Sequence, residues 1–440
     1  MTDIQNLNPV TREDKYPQWG IIVVLVLNFL APFVSDLLPY LALVLCVIRV
    51  VRYDEKVFAT DYAILISVTM MFQSPGRMSL LIYLCLFADV WYFLRRGIKA
   101  EAAVVLMLLL LNYLLLRMQM NINRFALCFG QLFLLRVLLP EQDEHSANRA
   151  SRAFCIGLLV ASAYALVVRN TWQFQAIRGP EDPAFFGSSV IRFYGPFQDP
   201  NYYSMLLITA MALLTKLKDS RRIGWPVFLL GSVLFAALGV MTYSKTFFLL
   251  LVLLLAVYLV WQFWNKRVFR GIFMTATVVI AGAILLLSDG SPFAVVLARL
   301  TSASNISDFT TGRSDLFMDY YRAITENIGS IFFGKGLGQA NLGRDPHNLF
   351  LEITYYLGLV GMLLMGLYYA AVLRTINVNL KQQNLIARYV VLFMVLMFHM
   401  TLHGMTLFHT YASFFMAAMA ILITPKQTEQ LPENEGDPHE

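Results

Sequence analysis

Apolar runs that approach the length needed to cross a bilayer core of about 30 Å recur along the whole chain, and nothing else limits its fold so strongly. They fall at residues 19–36, 38–52, 59–73, 78–94, 100–117, 122–139, 153–168, 201–216, 223–242, 246–264, 271–287, 347–373, 387–404 and 408–424. With 58% hydrophobic and 14% charged residues and a mean hydropathy of +0.61, the chain lies outside the globular range. The expectation is an all-α polytopic membrane protein. Several runs are short for a full span, and the pairs flanking Leu37 and Leu407 have almost no loop, so the expected count is twelve to fourteen helices. Either even count puts both termini on one side.

Basic residues choose that side, because Lys and Arg collect in cytoplasmic loops. Every second connection is the richer one: Arg49, Arg52 and Lys56, then Arg95, Arg96 and Lys99, then Arg149 and Arg152. Lys216, Lys218, Arg221 and Arg222 continue the series, followed by Lys266, Arg267 and Arg270, and by Arg374, Lys381 and Arg388. This retention pattern accounts for most of the net charge of +6 without a nucleic-acid partner. With the termini inside, the long connections 169–200 and 288–346 face outward.

The polar start, MTDIQNLNPVTREDKYPQ, lacks a small-residue cleavage site after the first apolar run, so it reads as an uncleaved anchor. Cys46, Cys85, Cys128 and Cys155 sit in or beside predicted spans and read as small core residues. Matched broken helices, the mark of a two-repeat transporter, are not found. Residues 1–168 read as a transmembrane scaffold, 169–375 as the region holding the chemistry, 376–424 as C-terminal transmembrane helices and 425–440 as a disordered cytoplasmic tail.

The first outer loop carries Arg169, Arg178 and Arg192, then RFYGPFQDPNYYS. Asp199 and Pro200 suit the cap and first position of a helix. Gly195 and Pro196 would bend the chain so that Arg192 lies over that helix mouth, as a snorkelling arginine or as a ligand. Lys245, in Thr242-Tyr243-Ser244-Lys245-Thr246, reads either as an interfacial anchor or as a fixed positive charge for an anionic headgroup. In the second loop, Leu316, Phe317, Tyr320, Tyr321, Ile324 and Ile328 form a helical stripe after Thr311-Gly312-Arg313, predicted to end at Gly329. GSIFFGKG nearly matches a phosphate-binding P-loop, but Gly336 stands where Ser or Thr is needed, and we reject that reading.

The loop leads through Gly334, Gly336, Gly338 and Arg344 to Asp345-Pro346-His347-Asn348. A lone interfacial histidine is more often structural than catalytic. Here Asp345 and Pro346 fit the cap and first turn of the next span, which would place His347 where the helix dipole disfavours a protonated ring. A neutral imidazole is a competent general base. The helix end would offer N–H groups to an anion, with Arg192, Lys245, Arg313 and Arg344 in neighbouring outward segments. Cations around one neutral base suit attack by a hydroxyl on a carbon whose leaving group is a phosphate or pyrophosphate. Asp199, Asp315 and Asp345 are read as caps or loop residues, and no metal site is expected.

TGRSDLF, GKGLG and HNLFLEITYYLGLVG together resemble the signature of the O-antigen ligase and Wzy-type polymerase superfamily, with its Wzy_C-like domain. Its pattern is a Thr-Gly-Arg ahead of a helix, a glycine-rich turn, and His-Asn nine residues before Gly358-x-x-Gly361. RFYGPFQDPN is similar to its first outer-loop motif. The resemblance covers roughly residues 190–375. It implies a GT-C-like membrane glycosyltransferase in the bacterial cytoplasmic membrane, working on the outer face without metal or cofactor. His347 would activate the acceptor hydroxyl, and Arg192 would engage the diphosphate of an undecaprenyl-linked glycan. Arg313 would be a structural or substrate-loop contact; Lys245, Arg344, Asp199, Asn201, Asn348, Gly358 and Gly361 complete the expected site. Relatives often carry Ser-Arg where this chain has Ser244-Lys245, which keeps the charge but loses the bidentate fork. Implied partners are the lipid-linked donor, a glycan or lipid-linked acceptor, membrane lipid, a flippase and a chain-length regulator. Polymerisation is preferred to ligation onto lipid A-core, because nothing in the chain marks an outer-membrane acceptor. A lipid-linked glycan flippase or transporter is the alternative of another class, for which Asp89 and His399 are the intramembrane candidates.

Overall fold

A computed structural model describes residues 17–73, 79–97, 102–117, 144–183, 189–219, 221–264, 313–336, 346 and 348–375, with Leu342 and isolated positions between 266 and 301. Among the described residues the chain is helical, with two isolated bridges, Gln73 to Ser79 and Pro183 to Ile191, and no sheet. The helices are α1 (Gln18–Val34), α2 (Leu38–Arg52), α3 (Glu55–Ser67), α4 (Leu80–Arg96), α5 (Ala102–Arg117), α6 (Glu144–Val168) and α7 (Trp172–Arg178). They continue with α8 (Pro200–Asp219), α9 (Trp225–Val240), α10 (Lys245–Trp264), α11 (Arg313–Thr325), α12 (Ile328–Phe333) and α13 (Leu349–Thr375).

Of the fourteen apolar runs, 122–139, 387–404, 408–424 and all but two residues of 271–287 lie outside the described residues; each of the other ten overlaps a helix. Two helices are long and apolar enough to cross a membrane, His145–Val168 and Leu349–Tyr368, and Gln18–Val34, Val104–Arg117, Trp225–Val240 and Lys245–Val257 are shorter apolar helices. Outward faces are apolar as well. Val227, Leu229, Leu230, Val233 and Leu234 of α9 are all exposed while Gly231, Phe235, Leu238 and Gly239 are buried. Exposed apolar surface of this kind is stable against lipid or another apolar surface, not against water.

The centre of the fold is α3, buried on every side from Phe58 to Ser67 and packed on α6. Close approach is possible because α6 turns small residues inward: Ala147, Ala150, Ser151, Gly157, Ala161, Ser162 and Ala165. A Cβ on Gly157 would stand 3.0 Å from Ser67 Oγ. The predicted run 59–73 stops being helical at Ser67. The Thr69 hydroxyl donates back to the Ile66 carbonyl at 2.8 Å, and the chain turns before Leu80 N reaches the Phe72 carbonyl at 2.9 Å. Conversely α6 starts nine residues before the apolar run at 153, because its polar first turns are tied to α3. Arg149 donates to the Thr60 hydroxyl and to the Lys56 carbonyl, each at 3.2 Å.

Arg49, expected as a loop charge, is buried. Its Nε and Nη2 donate to the two Asp61 carboxylate oxygens at 2.7 and 2.8 Å, and Nη1 donates to the Pro17 carbonyl at 2.9 Å. This bidentate pair locks the end of α2 to the second turn of α3. Cys46, Cys85 and Cys155 are buried and reduced, as expected of core residues; Cys128 lies outside the described residues.

Candidate functional site

The loop before α8 is built around local turns that the sequence made recognisable. Asp199 caps α8, its Oδ1 accepting from Asn201 N at 2.6 Å and Tyr202 N at 3.4 Å, with Pro200 as the first helical residue. Gly195 adopts φ +58, and a Cβ there would lie 2.6 Å from the Tyr203 ring, so only glycine makes this bend. Upstream, the Tyr194 hydroxyl donates to Asp182 Oδ2 at 2.7 Å while accepting from Asp182 N at 3.0 Å. Burial first, and then the bond to Asp182, push that hydroxyl up to about 12, so it remains a donor throughout the physiological range.

Bent in this way, the loop runs beside the turn between α9 and α10. Phe193 N donates to the Met241 carbonyl at 2.9 Å, and Arg192 Nε to the Thr242 carbonyl at 3.0 Å. Arg192 Nη2 also reaches Asn201 Oδ1 at 3.5 Å, the same oxygen that accepts from Ser244 Oγ at 2.5 Å. Ser244 N in turn donates to Thr242 Oγ1 at 3.2 Å. Asn201 thus joins the arginine of one loop to the residue preceding Lys245 in another. Lys245 opens α10, although a cation at a helix N-terminus is disfavoured by about 0.3–1 kcal/mol. The N-termini of α8 and α10 therefore meet beside Arg192, with Lys245 in the first turn of α10 and the Asp199 carboxylate capping α8. Bound anions suit such a place.

A second group forms on α13, which is not one continuous helix. Gly358 takes φ 67 and ψ −171 and divides it into Leu349–Leu357 and a longer following piece. The break deprives the preceding carbonyls of their helical donors, and the glycine turn supplies replacements. Lys335 N donates to the Tyr355 carbonyl at 2.7 Å, Gly336 N to the Tyr356 carbonyl at 3.0 Å, and the Tyr113 hydroxyl to the Leu357 carbonyl at 2.6 Å. The two backbones touch. A Cβ on Gly358 would overlap the Phe332 carbonyl, and one on Gly334 would overlap the Tyr356 carbonyl. Gly361 leaves room for Tyr113, whose Cε1 would stand 3.1 Å from an added Cβ. Gly358→Ala is expected to destabilise by about 1–3 kcal/mol from backbone conformation alone, before the overlap is counted. A melting temperature in detergent equal to that of the wild type would contradict this account of the crossing.

Three expectations change here. The cap of α13 is Asn348 rather than Asp345: its Oδ1 accepts from Leu351 N at 3.0 Å, and the helix begins at Leu349. His347 therefore precedes the cap instead of lying in the first turn, and one N–H expected for an anion is taken by Asn348. The apolar stripe after Arg313 ends at Thr325, not Gly329, because Asn327 is extended and caps α12 through Ser330 N at 2.8 Å. Tyr320 and Ile324 of that stripe are buried, with Tyr320 packed edge-on to Tyr355, while Tyr321 and Ile328 are exposed. Arg313 is half-buried at the start of α11.

The structure thus assembles Arg192, Asp199, Asn201 and Lys245 in one group and Asn348, Gly358 and Gly361 in another. His347 and Arg344 lie outside the described residues. Sequence reasoning missed Tyr113 and Arg117, although a tyrosine and an arginine four residues apart on one helical face were a signal within an otherwise apolar run. Among the described residues, no cluster of His, Cys, Asp or Glu is arranged to hold a metal ion. No family model, curated protein or solved structure matches the chain.

Proposed function

We propose that this chain is an integral membrane glycosyltransferase that polymerises undecaprenyl-diphosphate-linked oligosaccharide repeat units on the outer face of a bacterial cytoplasmic membrane. The observation that carries the reading is the convergence of Arg192, Lys245 and the N-termini of α8 and α10 around Asn201. Polytopic topology of twelve to fourteen helices is part of the proposal. It draws support from contacts between loop ends: Arg152 with the Arg222 carbonyl, Arg149 with Lys56, Arg192 with Thr242 and Arg117 with Gly334 each join ends that the charge pattern assigns to the same side.

In the reaction, His347 takes the proton from an acceptor sugar hydroxyl. The oxygen attacks the anomeric carbon from the face opposite the leaving group and forms the new glycosidic bond. The bond from that carbon to the diphosphate oxygen breaks, its electron pair leaving with the lipid diphosphate, and the configuration inverts. Arg192 and Lys245 stabilise the departing charge, with Arg313 and Arg344 as further contacts. The imidazolium then returns its proton to water. Because the leaving group is already a weak base, charge neutralisation can replace protonation, and the scheme asks for no metal.

With a lipid-linked repeat unit in proteoliposomes, Arg192→Ala is expected to lower chain growth by roughly 100-fold, as removing a group that stabilises transition-state charge does. Lys245→Arg is expected to keep more activity than Lys245→Ala, and a chelator to leave the rate unchanged. Equal loss in both lysine variants would remove charge from the role of Lys245. Transfer to lipid A-core in preference to a second repeat unit would identify a ligase instead. Asp89 favours the flippase reading: it is fully buried within α4, and neither carboxylate oxygen has a hydrogen bond among the described residues. Movement of the lipid-linked glycan across the bilayer with no new glycosidic bond would establish that reading in place of ours.

A further inference from the structure

We infer that the α11–α12 pair is seated in bilayer lipid at the C-terminal end of α5, with Ile328, Phe332 and Phe333 among the headgroups and the first part of the acyl chains. The inference rests on the polytopic reading and not on glycosyl transfer. Its starting point is that α12 is turned inside out. Of the six residues IGSIFF, Ser330 is buried, while Ile328, Phe332 and Phe333 are exposed, Ile328 at 74%. The helix is not free to roll and correct this. Ser330 N donates to the Asn327 cap at 2.8 Å, and the Ser330 carbonyl accepts from Gly334 N at 3.0 Å. Gly334 in turn is pressed against the Tyr356 carbonyl of α13 and accepts from Arg117 Nη2 at 2.6 Å. A serine is thus fixed inward and three large apolar side chains outward, an arrangement that water penalises and lipid does not.

What covers this face follows from the helices it adjoins. Arg117 lies in the last turn of α5, and the Tyr113 hydroxyl one turn earlier lies 3.3 Å from the Phe333 carbonyl, so α12 sits at the end of that apolar helix. Leu115 and Leu116 of α5 are exposed, and so are Leu359 and Leu363 of α13, which packs on α5. The polytopic reading puts those leucines in lipid, and α12 carries the same apolar surface on past the end of α5. Charges on the pair are arranged as an interfacial element requires. Lys335 and Glu326, on either side of α12, form an ion pair, and Arg322 meets Asp319 at 3.6 Å on the exposed side of α11. On α11, Met318 and Tyr321 are exposed along one flank of the buried Tyr320–Ile324 face, and Asp315, Asp319 and Arg322 lie farther round the helix. An apolar flank beside paired charges fits the boundary between acyl chains and headgroups.

The test places a fluorescent label on single cysteines in a Cys128→Ser background, where Cys46, Cys85 and Cys155 are buried. Phe332→Cys, Asp319→Cys and, as a control on the exposed face of α9, Val233→Cys are reconstituted in phosphatidylcholine–phosphatidylglycerol vesicles. Quenching is read from iodide in the water and from phosphatidylcholine carrying a nitroxide near the headgroup end of its acyl chain. A helix in the interface sits about 5–10 Å deep, so the nitroxide is expected to quench position 332 roughly threefold more than position 319, with iodide showing the reverse order. Iodide quenching at 332 as strong as at 319, with Val233 still quenched by the nitroxide, would overturn the lipid seat and leave the polytopic reading standing. Protection of 332 from both quenchers would overturn it too, by showing protein on that face, either a second copy or another part of this chain. A Val233 label quenched by iodide and not by the nitroxide would instead remove the span on which the inference depends.

Discussion

Alanine at position 347 is expected to abolish glycan transfer, by a factor of about 100 to 10,000, the usual worth of a general base, while the protein still reaches the membrane in normal amount. The chemistry asks for a group that is unprotonated near neutral pH yet basic enough to accept a hydroxyl proton, and imidazole meets both conditions without large tuning. Positive charge or a helix N-terminus close to an imidazole would each favour its neutral form. Asn348 occupies the cap of α13, so the sequence puts His347 before that helix rather than in its first turn. The pH profile should therefore show an acidic limb controlled by the histidine, with activity falling as pH drops through its pKa. His347→Gln, which keeps hydrogen bonding but not basicity, should be as inactive as His347→Ala. Wild-type transfer by either variant would end the assignment.

The largest expected effect on stability lies where α2 meets α3. Asp61→Ala strips the carboxylate from a guanidinium that is 7% exposed, and such a loss costs about 3–5 kcal/mol. What remains to Arg49 in the described hydrogen bonds is the Pro17 carbonyl at 2.9 Å. Replacing both partners with apolar residues, Arg49→Met with Asp61→Leu, should return most of the stability, because the desolvation penalty leaves with the charges. Thermal unfolding in detergent reads both. A single variant as stable as the wild type, or a double variant no better than the single, would show that the pair does not anchor α2 to α3.

Much of the helical framework was legible because apolar runs are long and local, and the ends of α2, α5 and α10 fall within a residue or two of the expected limits. The cap at Asp199 was legible for the same reason, since Asp-Pro carries its geometry in adjacent residues. Arg192 was expected over that helix mouth, and it is there. Its sharing of Asn201 with Ser244 was not foreseeable, because it depends on how α9 and α10 return beside the loop. Asp61 left no trace in the pattern either: one acid among apolar residues says nothing about an arginine twelve positions earlier until α2 and α3 pack. The break in α13 was hidden because LGLVG reads as one more turn of an apolar helix. Only the crossing of a second backbone makes Gly358 a necessity.

The backbone crossing at Gly334 and Gly358 also bears on how such a chain can diversify. Gly334 and Leu357 are both bonded to α5, so a change in the length of the stretch between Gly336 and Asn348 would alter loop closure by only about 0.6 kcal/mol for each doubling. Insertions there would leave the helices on either side unchanged. The glycines at the crossing have no such latitude. Under the proposed glycosyl transfer, new acceptor preferences would arise by lengthening or shortening one short stretch of polypeptide, with the supporting architecture inherited unchanged.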